Sequence, residues 1–387
     1  MHLSLSIYFL TITKIIQLHK LNLESEGETM SASISLCMIV RDEEETLERC
    51  LLSVHHLVDE IIIVDTGSVD NTVKIAEKYT SNIFFLEWKD NFSFARNFSF
   101  SNATKDYILW LDADDYLTKR DQTEFKQLKG QLDDSIDSVT MNYHLAFDEN
   151  NQPAYSLKRN RLVKRTRHFK WIGAVHEYLE VYGKIIDSDV AITHGKEKNT
   201  SNRNLLIYLN KLNNEEVFST RDLFYFANEL KDHHRYSEAL TYYEKFLNKQ
   251  DGWSEDKIQA CLNKSFCFEK MGEKEEAIRS CLETFTYNTP RAEACCAIGR
   301  LFMEKLNWEI AIFWFKMALQ QPKPSSMAIL HEPSWTWIPH LQLTVCYEKI
   351  NAVEKAYAHH LKCMELIPQH ASTLHNESYF QQRKPLV

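Results

Sequence analysis

Two rhythms of apolar and polar positions divide the chain. From about residue 33 to 194, short unbroken apolar runs alternate with amphipathic stretches; beyond about residue 204 only the amphipathic pattern continues. The run "SISLCMIV" (33–40) has no polar face, as expected of a parallel strand buried on both sides. "RDEEETLERCLLSVHHLV" (41–58) follows with Leu47, Cys50, Leu51 and Val54 at helical spacing. Acids crowd its first turn, where a helix dipole favours them. "DEIIIVDTGSVDNT" (59–72) reads as a strand running out into a polar loop, "VKIAEKY" as a helix and "NIFFLEW" as a strand. "FSFARNFSFSNA" then reads as a helix leading into the strand that opens "YILWLDADDYL" (107–117). Such alternation predicts an α/β layer with a mostly parallel sheet, whose ligands bind at the carboxyl ends of the strands. The polar clusters at 65–70 and 112–115 fall at such ends.

In the second half, "HRYSEALTYYEKFL", "GEKEEAIRSCLETF" and "LNWEIAIFWFKMAL" share one pattern. Their aligned small residues Ala239, Ala277 and Ala311 are spaced 38 and 34 residues apart. A fourth unit places Ala356 a further 45 residues on, which implies an insertion around "PKPSSMAILHEPSWTW". Pro290, Pro324 and Pro368 close three units. A period near 34 with a small residue in the second helix is the tetratricopeptide (TPR) pattern, and such helix pairs stack into a solenoid with a binding surface. Trp335 and Trp337 in the insertion read as packing between repeats, or as anchors if exposed. The reading is therefore three segments: an N-terminal extension (1–30), an α/β domain (31–205) and a TPR-like domain (206–387).

Composition narrows the function. The chain has 387 residues, 26% of them charged, and a net charge of −9. That balance argues against general nucleic-acid binding, which needs a basic face. Nine cysteines, with no C-x-x-C pair, predict reduced thiols in a cytoplasmic protein. The apolar opening "MHLSLSIYFLTITKIIQLHK" is interrupted by Lys14 and has no basic residues ahead of it. It reads as neither a spanning helix nor a secretory signal. The expectation is either a dispensable extension or a wrongly chosen start with Met30 as the true initiator; the alternative is a short helix packed on the fold or touching a membrane. The nine glycines form no G-x-G-x-x-G or Walker loop, and no H-E-x-x-H occurs, which removes the usual apparatus of dinucleotide, P-loop and zinc-protease chemistry.

Asp112 and Asp114 alternate along the expected strand end and so point to one side. Two such carboxylates suit a hard divalent cation that keeps positions open for phosphate oxygens, and that cation can neutralise a leaving diphosphate. Asp115, on the other side, is expected to cap the loop or support the site. The ordered set "ISLCMIVRDEE", "DEIIIVDTGSVDNT", "FSFARN" and "DYILWLDADD" resembles the family 2 glycosyltransferases of GT-A fold, over residues 33–195. The resemblance implies that Asp65 contacts the uracil or ribose of a nucleotide-sugar donor and that Arg96 helps hold the nucleotide. It also implies that Asp112 and Asp114 bind Mg²⁺ or Mn²⁺.

"FKWIGAVHEYLEVYG" (169–183) carries a "VHE" similar to the acceptor-side motif of bacterial members. An inverting transferase needs a base for the acceptor proton. Glu177 is the expected base, with His176 positioning substrate or donor; the reverse assignment stays open. "THGKEKNTSNR" resembles the family's closing segment, although it departs from an H-x-G-Y form. His194 is expected as a further metal ligand or phosphate contact, and Lys198 and Arg203 as partners of the diphosphate. A transferase followed by TPR units resembles a bacterial group that includes S-glycosyltransferases of bacteriocin peptides. The expected activity is transfer of a sugar, glucose first, from a UDP-sugar to a peptide, protein or envelope glycan, with the TPR units binding the acceptor or forming a homodimer. The competing readings are a TPR interaction module with an inactive transferase domain, and a nucleotidyltransferase. The acidic "VRDEEE" argues against the second, because it would repel a triphosphate.

Overall fold

The structure, a computed structural model, describes residues 32–149, 151–195, 202–324 and 326–383, so the 1–30 extension lies outside the described residues. Strand β1 (Ile34–Val40) runs parallel to β2 (Glu60–Asp65) and β4 (Tyr107–Trp110), and β3 (Ile83–Phe85) adds beyond β2. Alternation along these strands feeds two cores. Leu36, Met38, Ile61, Ile63 and Leu109 face α1 (Leu47–Val54) and α4 (Lys119–Gln131). Cys37, Ile62, Ile108 and Trp110 face the opposite side, with α3 (Phe92–Ser101) and the hairpin β8 (Lys170–Ile172) and β9 (Tyr178–Glu180). Burial on both faces is why these strands read as continuous apolar runs. The sheet order is β3-β2-β1-β4-β7-β6-β10-β5, where β7 (Pro153–Lys164) is antiparallel to β4 and β6 (Ser138–Phe147). Strand β10 (Ile185–His194) ends against the short β5 (Asp115–Tyr116).

The helix expected from residue 41 begins at Leu47. Its acids instead satisfy the loop after β2: Asp42 accepts from the Val69 amide at 2.8 Å and Glu44 from the Asn71 amide at 3.0 Å. Loop amides at a strand end need acceptors, and the acids supply them.

Beyond α5 (Arg203–Asn213), helices pair as α6 (Thr220–Asp232) with α7 (Tyr236–Leu247) and α8 (Ser254–Lys270) with α9 (Lys274–Glu283). Two further pairs follow: α10 (Ala292–Glu304) with α11 (Trp308–Gln320), and α12 (Trp337–Lys349) with α13 (Val353–Leu366). Helix α14 (Ala371–Arg383) comes last. Ala239, Ala277, Ala311 and Ala356 are all fully buried in the second helices of their pairs, where a methyl lets neighbouring helices approach. Trp335 and Trp337 are half-buried against the apolar clusters of the last repeats. At Gly299 an added Cβ would lie 2.9 Å from the fully buried Phe315 ring. Gly299→Ala is therefore expected to destabilise the chain by about 1–3 kcal/mol through overpacking, although alanine is the better helix former. Urea unfolding checks this, with a lowered midpoint at unchanged slope.

Strands do not vanish after residue 204, as the pattern had implied. Within the insertion, β11 (Leu330–His331) pairs with β7 at Tyr155 and Ser156, and Ser156 donates to Glu332 at 2.7 Å. The insertion thus ties the repeats back to the sheet through two residues, too few to leave a periodic signal.

Candidate functional site

The carboxyl ends of β1 and β4 open into a cavity of about 350 Å³, lined by residues that include Arg41, Arg96, Asp112, Asp114, Glu177, His194 and Arg203. Six of these seven, all but Arg41, are sequence-predicted site residues brought together from α3, the turn after β4, and the approach to β9, β10 and α5.

Arg96 is the cavity's central cation. Asn91 caps α3 by accepting from the Phe94 amide at 2.9 Å, which sets the helix start and so the direction of "FARN". Asn97 then fixes β8, donating to the Trp171 carbonyl and accepting from the Trp171 amide, both at 2.9 Å. Arg96 lies over the Trp110 and Trp171 rings, donating from Nε to Glu177 Oε1 at 2.6 Å and from Nη2 to Asp112 Oδ1 at 2.7 Å. Burial disfavours its charge, but the two carboxylates outweigh burial and raise its pKa. The same balance runs in reverse at Asp112: burial pushes the carboxyl up, and Arg96 and Arg161 bring it below its ordinary value.

Strand β4 ends at Trp110, and residues 112–115 form a turn closed by the Asp115 amide donating to the Asp112 carbonyl at 3.1 Å. Asp112 and Asp114 are therefore not successive positions of one strand face. The acidic and imidazole ligand atoms that lie within 4.8 Å of one another come from Asp114, Asp115 and His194, while Asp112 is held by Arg96. His194 Nδ1 lies 3.4 Å from Asp114 Oδ1 and 3.7 Å from Asp115 Oδ1. Asp115 is fully buried; it accepts from the Asp112 amide at 3.0 Å, from the Tyr143 hydroxyl at 2.8 Å, and pairs with Arg161 at 3.0 Å. With its oxygens so engaged, Asp115 supports the site, and Asp114 and His194 are the donors that line the cavity. Carboxylate and imidazole together fit a cation such as Mn²⁺.

The carboxylates of Asp114 and Asp115 beside it raise the His194 pKa from 6.5 to about 9. A folded-state value above the unfolded one gives stability that is complete below about 6.5 and lost as pH rises through about 9. In chelator, the wild-type chain is expected to lose thermal stability between pH 7 and 10 more steeply than His194→Asn; parallel curves would contradict the assignment.

The "VHE" motif divides its three residues among three tasks. Val175 enters the apolar core of α5 and α6 beside Leu205, Tyr208 and Phe224. His176 stacks on Tyr225 with ring centroids 4.3 Å apart, and its Nε2 meets Glu229 at 2.8 Å. Its carbonyl accepts from Arg221 Nε at 3.0 Å. Glu177 turns the other way, to Arg96. The helical repeats thus clamp the loop that presents Glu177, and His176 is the clamp's polar contact.

Asp65 is 3% exposed; its carboxylate accepts from the amides of Gly67 at 2.9 Å and Ser68 at 3.1 Å. The turn needs Gly67, whose φ is +106°. Thr66, rather than Asp65, lines the cavity. Arg203 stands over Phe92 at 4.7 Å, and burial, followed by Arg41, lowers its pKa. Lys198 lies outside the described residues.

Sequence reasoning missed Asn97, Tyr143 and Arg161. The fully buried Arg161 lies 3.9 Å from the Trp110 ring and 4.3 Å from the Tyr143 ring. Its one available signal was "KRNRLVKR", unusually basic for an interior strand. All nine cysteines are buried and unpaired, and no helix among the described residues is long and apolar enough to cross a membrane.

A second cavity, about 860 Å³, lies between β7, β9 and the helices α6, α8 and α10, and shares Arg159, His176 and Glu177 with the first.

Residues 35–191 match the family model described as glycosyl transferase family 2. The SPbeta prophage-derived glycosyltransferase SunS of Bacillus subtilis is 28% identical over 230 residues, 56% of this chain and 53% of that protein. A TPR repeat-containing protein of Synechococcus elongatus is 51% identical over 102 residues, 26% of this chain and 25% of that protein. The chain thus matches about half the length of one of these relatives and a quarter of the other. Among solved structures, a tetratricopeptide repeat protein from Parabacteroides merdae superposes with a TM-score of 0.37 at 14% identity, over 47% of this chain and 67% of that one.

Proposed function

We propose that this chain, whose residues 35–191 are a glycosyl transferase family 2 domain followed by a TPR-like helical solenoid, is an inverting transferase that moves a sugar from a UDP-sugar to a peptide or protein. The observation that carries the proposal is the Arg96 bridge: one buried guanidinium joins Glu177 to Asp112 across the cavity. A base for the acceptor and an acid beside the donor are then fixed relative to each other before either substrate arrives.

In this reading the donor's diphosphate lies toward Asp114, His194 and Arg203. A divalent cation held by Asp114 and His194 would neutralise charge on the leaving diphosphate. Arg96 occupies Glu177 Oε1, and no other hydrogen bond to Glu177 forms among the described residues, so its second oxygen takes the proton from the acceptor. That proton moves to Glu177 as the acceptor atom bonds to the anomeric carbon from the face opposite the departing diphosphate. Arg203 and Lys198 act as further diphosphate contacts, and Asp65 supports the nucleotide through the turn it holds. Glucose is the sugar we favour and the cytoplasm the compartment.

Incubation with a panel of UDP-sugars in Mn²⁺ or chelator, reading UDP release, tests the proposal. Mn²⁺-dependent release with one donor is expected; no release with any donor would overturn it.

A further inference from the structure

Several charged side chains of the second cavity have no ion-pair partner of their own. Most of its charged groups have partners: Glu269 pairs with Arg300 at 2.5 Å, Glu255 with Arg291 at 2.6 Å, and Lys158 with Asp187 at 2.8 Å. Arg221 is taken by the His176 carbonyl and the Tyr225 hydroxyl, and Glu229 by His176 and Asn204. Three half-buried groups in the wall are left without an ion-pair partner. The Arg159 side chain, on β7, makes no hydrogen bond or ion pair among the described residues, and burial, with Arg161 and Arg221 nearby, pushes its pKa down. The Asp256 side chain, at the start of α8, likewise has none, and burial raises its carboxyl to about 6 against the opposing pull of Arg221 and Arg159. The Glu293 side chain, at the start of α10, receives its own amide and the His331 amide, the latter at 3.2 Å, and burial raises it to about 7. Half-buried charges without partners lose part of their hydration, and a ligand that pairs with them recovers it.

Their order along the cavity matters. Arg159 lines both cavities, as Glu177 does, whereas Asp256 and Glu293 line only the second. A neutral glycan would leave both acids unmatched. A polypeptide offers a carbonyl to the guanidinium and, a few residues on, a basic side chain to the acids.

We infer that the second cavity is the acceptor groove and takes a polypeptide segment carrying a basic residue. Arg159 fixes the segment next to Glu177, and Asp256 and Glu293 receive the basic side chain. The inference rests on the reading of Glu177 as the base. Arg159 is here a positioning residue, distinct from the groups that act on the donor.

Three fluorescent probes test this on the full chain: a lysine-containing heptapeptide, its glutamate counterpart and maltoheptaose. The lysine peptide is expected to bind best, and Asp256→Asn with Glu293→Gln to weaken it about tenfold or more. Asp256→Lys with Glu293→Lys is expected to turn the preference toward the glutamate peptide, a reversal that misfolding cannot produce. Equal or stronger binding of maltoheptaose or the glutamate peptide to the wild type overturns the inference, as does unchanged affinity in the neutral variant. UDP binding is read in parallel. A chain that selects the lysine peptide but fails to bind UDP would contradict the transferase reading and leave the groove assignment standing.

Discussion

Glu177→Gln is expected to lower the rate of sugar transfer by about 10²–10⁴-fold, the usual contribution of a general base. Its affinity for UDP is expected to stay close to wild type. The separation follows from geometry: Glu177 touches the cavity from the β9 side and reaches the donor region only through Arg96. Glutamine keeps the carbonyl that accepts from Arg96 Nε but cannot take a proton. Arg96 would lose one of its two carboxylate partners while keeping Asp112. Single-turnover transfer and UDP titration, run side by side, check both halves. Retained turnover would remove Glu177 from the role of base.

Arg161→Met is expected to destabilise the fold by about 3–5 kcal/mol, the range for removing one member of a buried ion pair. Both partners have fully buried side chains, so methionine fills the space but leaves the Asp115 charge with the Tyr143 hydroxyl, the Asp112 amide and the more distant His194. The turn at 112–115 hangs on that carboxylate, so the loss also reaches Asp114 and His194. Adding Asp115→Asn removes the stranded charge and is expected to recover part of the loss. Chemical unfolding of the single and double variants measures the coupling; additive losses would show that the pair is not the source.

How much of this was legible in the sequence follows from range. Strands buried on both faces and helices with one apolar stripe announce themselves locally, so β1, β2, β4 and α3 stand where their patterns put them. The repeat period located Ala239, Ala277, Ala311 and Ala356, because a helix pair repeats its own short-range packing. The acids at 42–44 were misread as helical, since a helix start and a loop that must satisfy amides call for the same residue types. Pairings across the chain left no local trace. The Asp115–Arg161 pair spans 46 residues and the His176–Glu229 contact spans 53. The D-x-D spacing thus carried no trace of the grouping within its turn, where Asp112 goes to Arg96 and Asp115 to Arg161. "VHE" likewise carried no trace of the helix that clamps it, which lies in the other half of the chain.

The central claim is that the cavity at the ends of β1 and β4 receives a nucleoside diphosphate together with a divalent cation. Titration of UDP into the full chain, with Mn²⁺ and then with chelator, tests it most directly. Saturable binding in Mn²⁺ that weakens at least about tenfold in chelator, and in Asp114→Asn with Mn²⁺ present, is the result the account predicts. Binding that is absent, or equally strong without the metal, would contradict it.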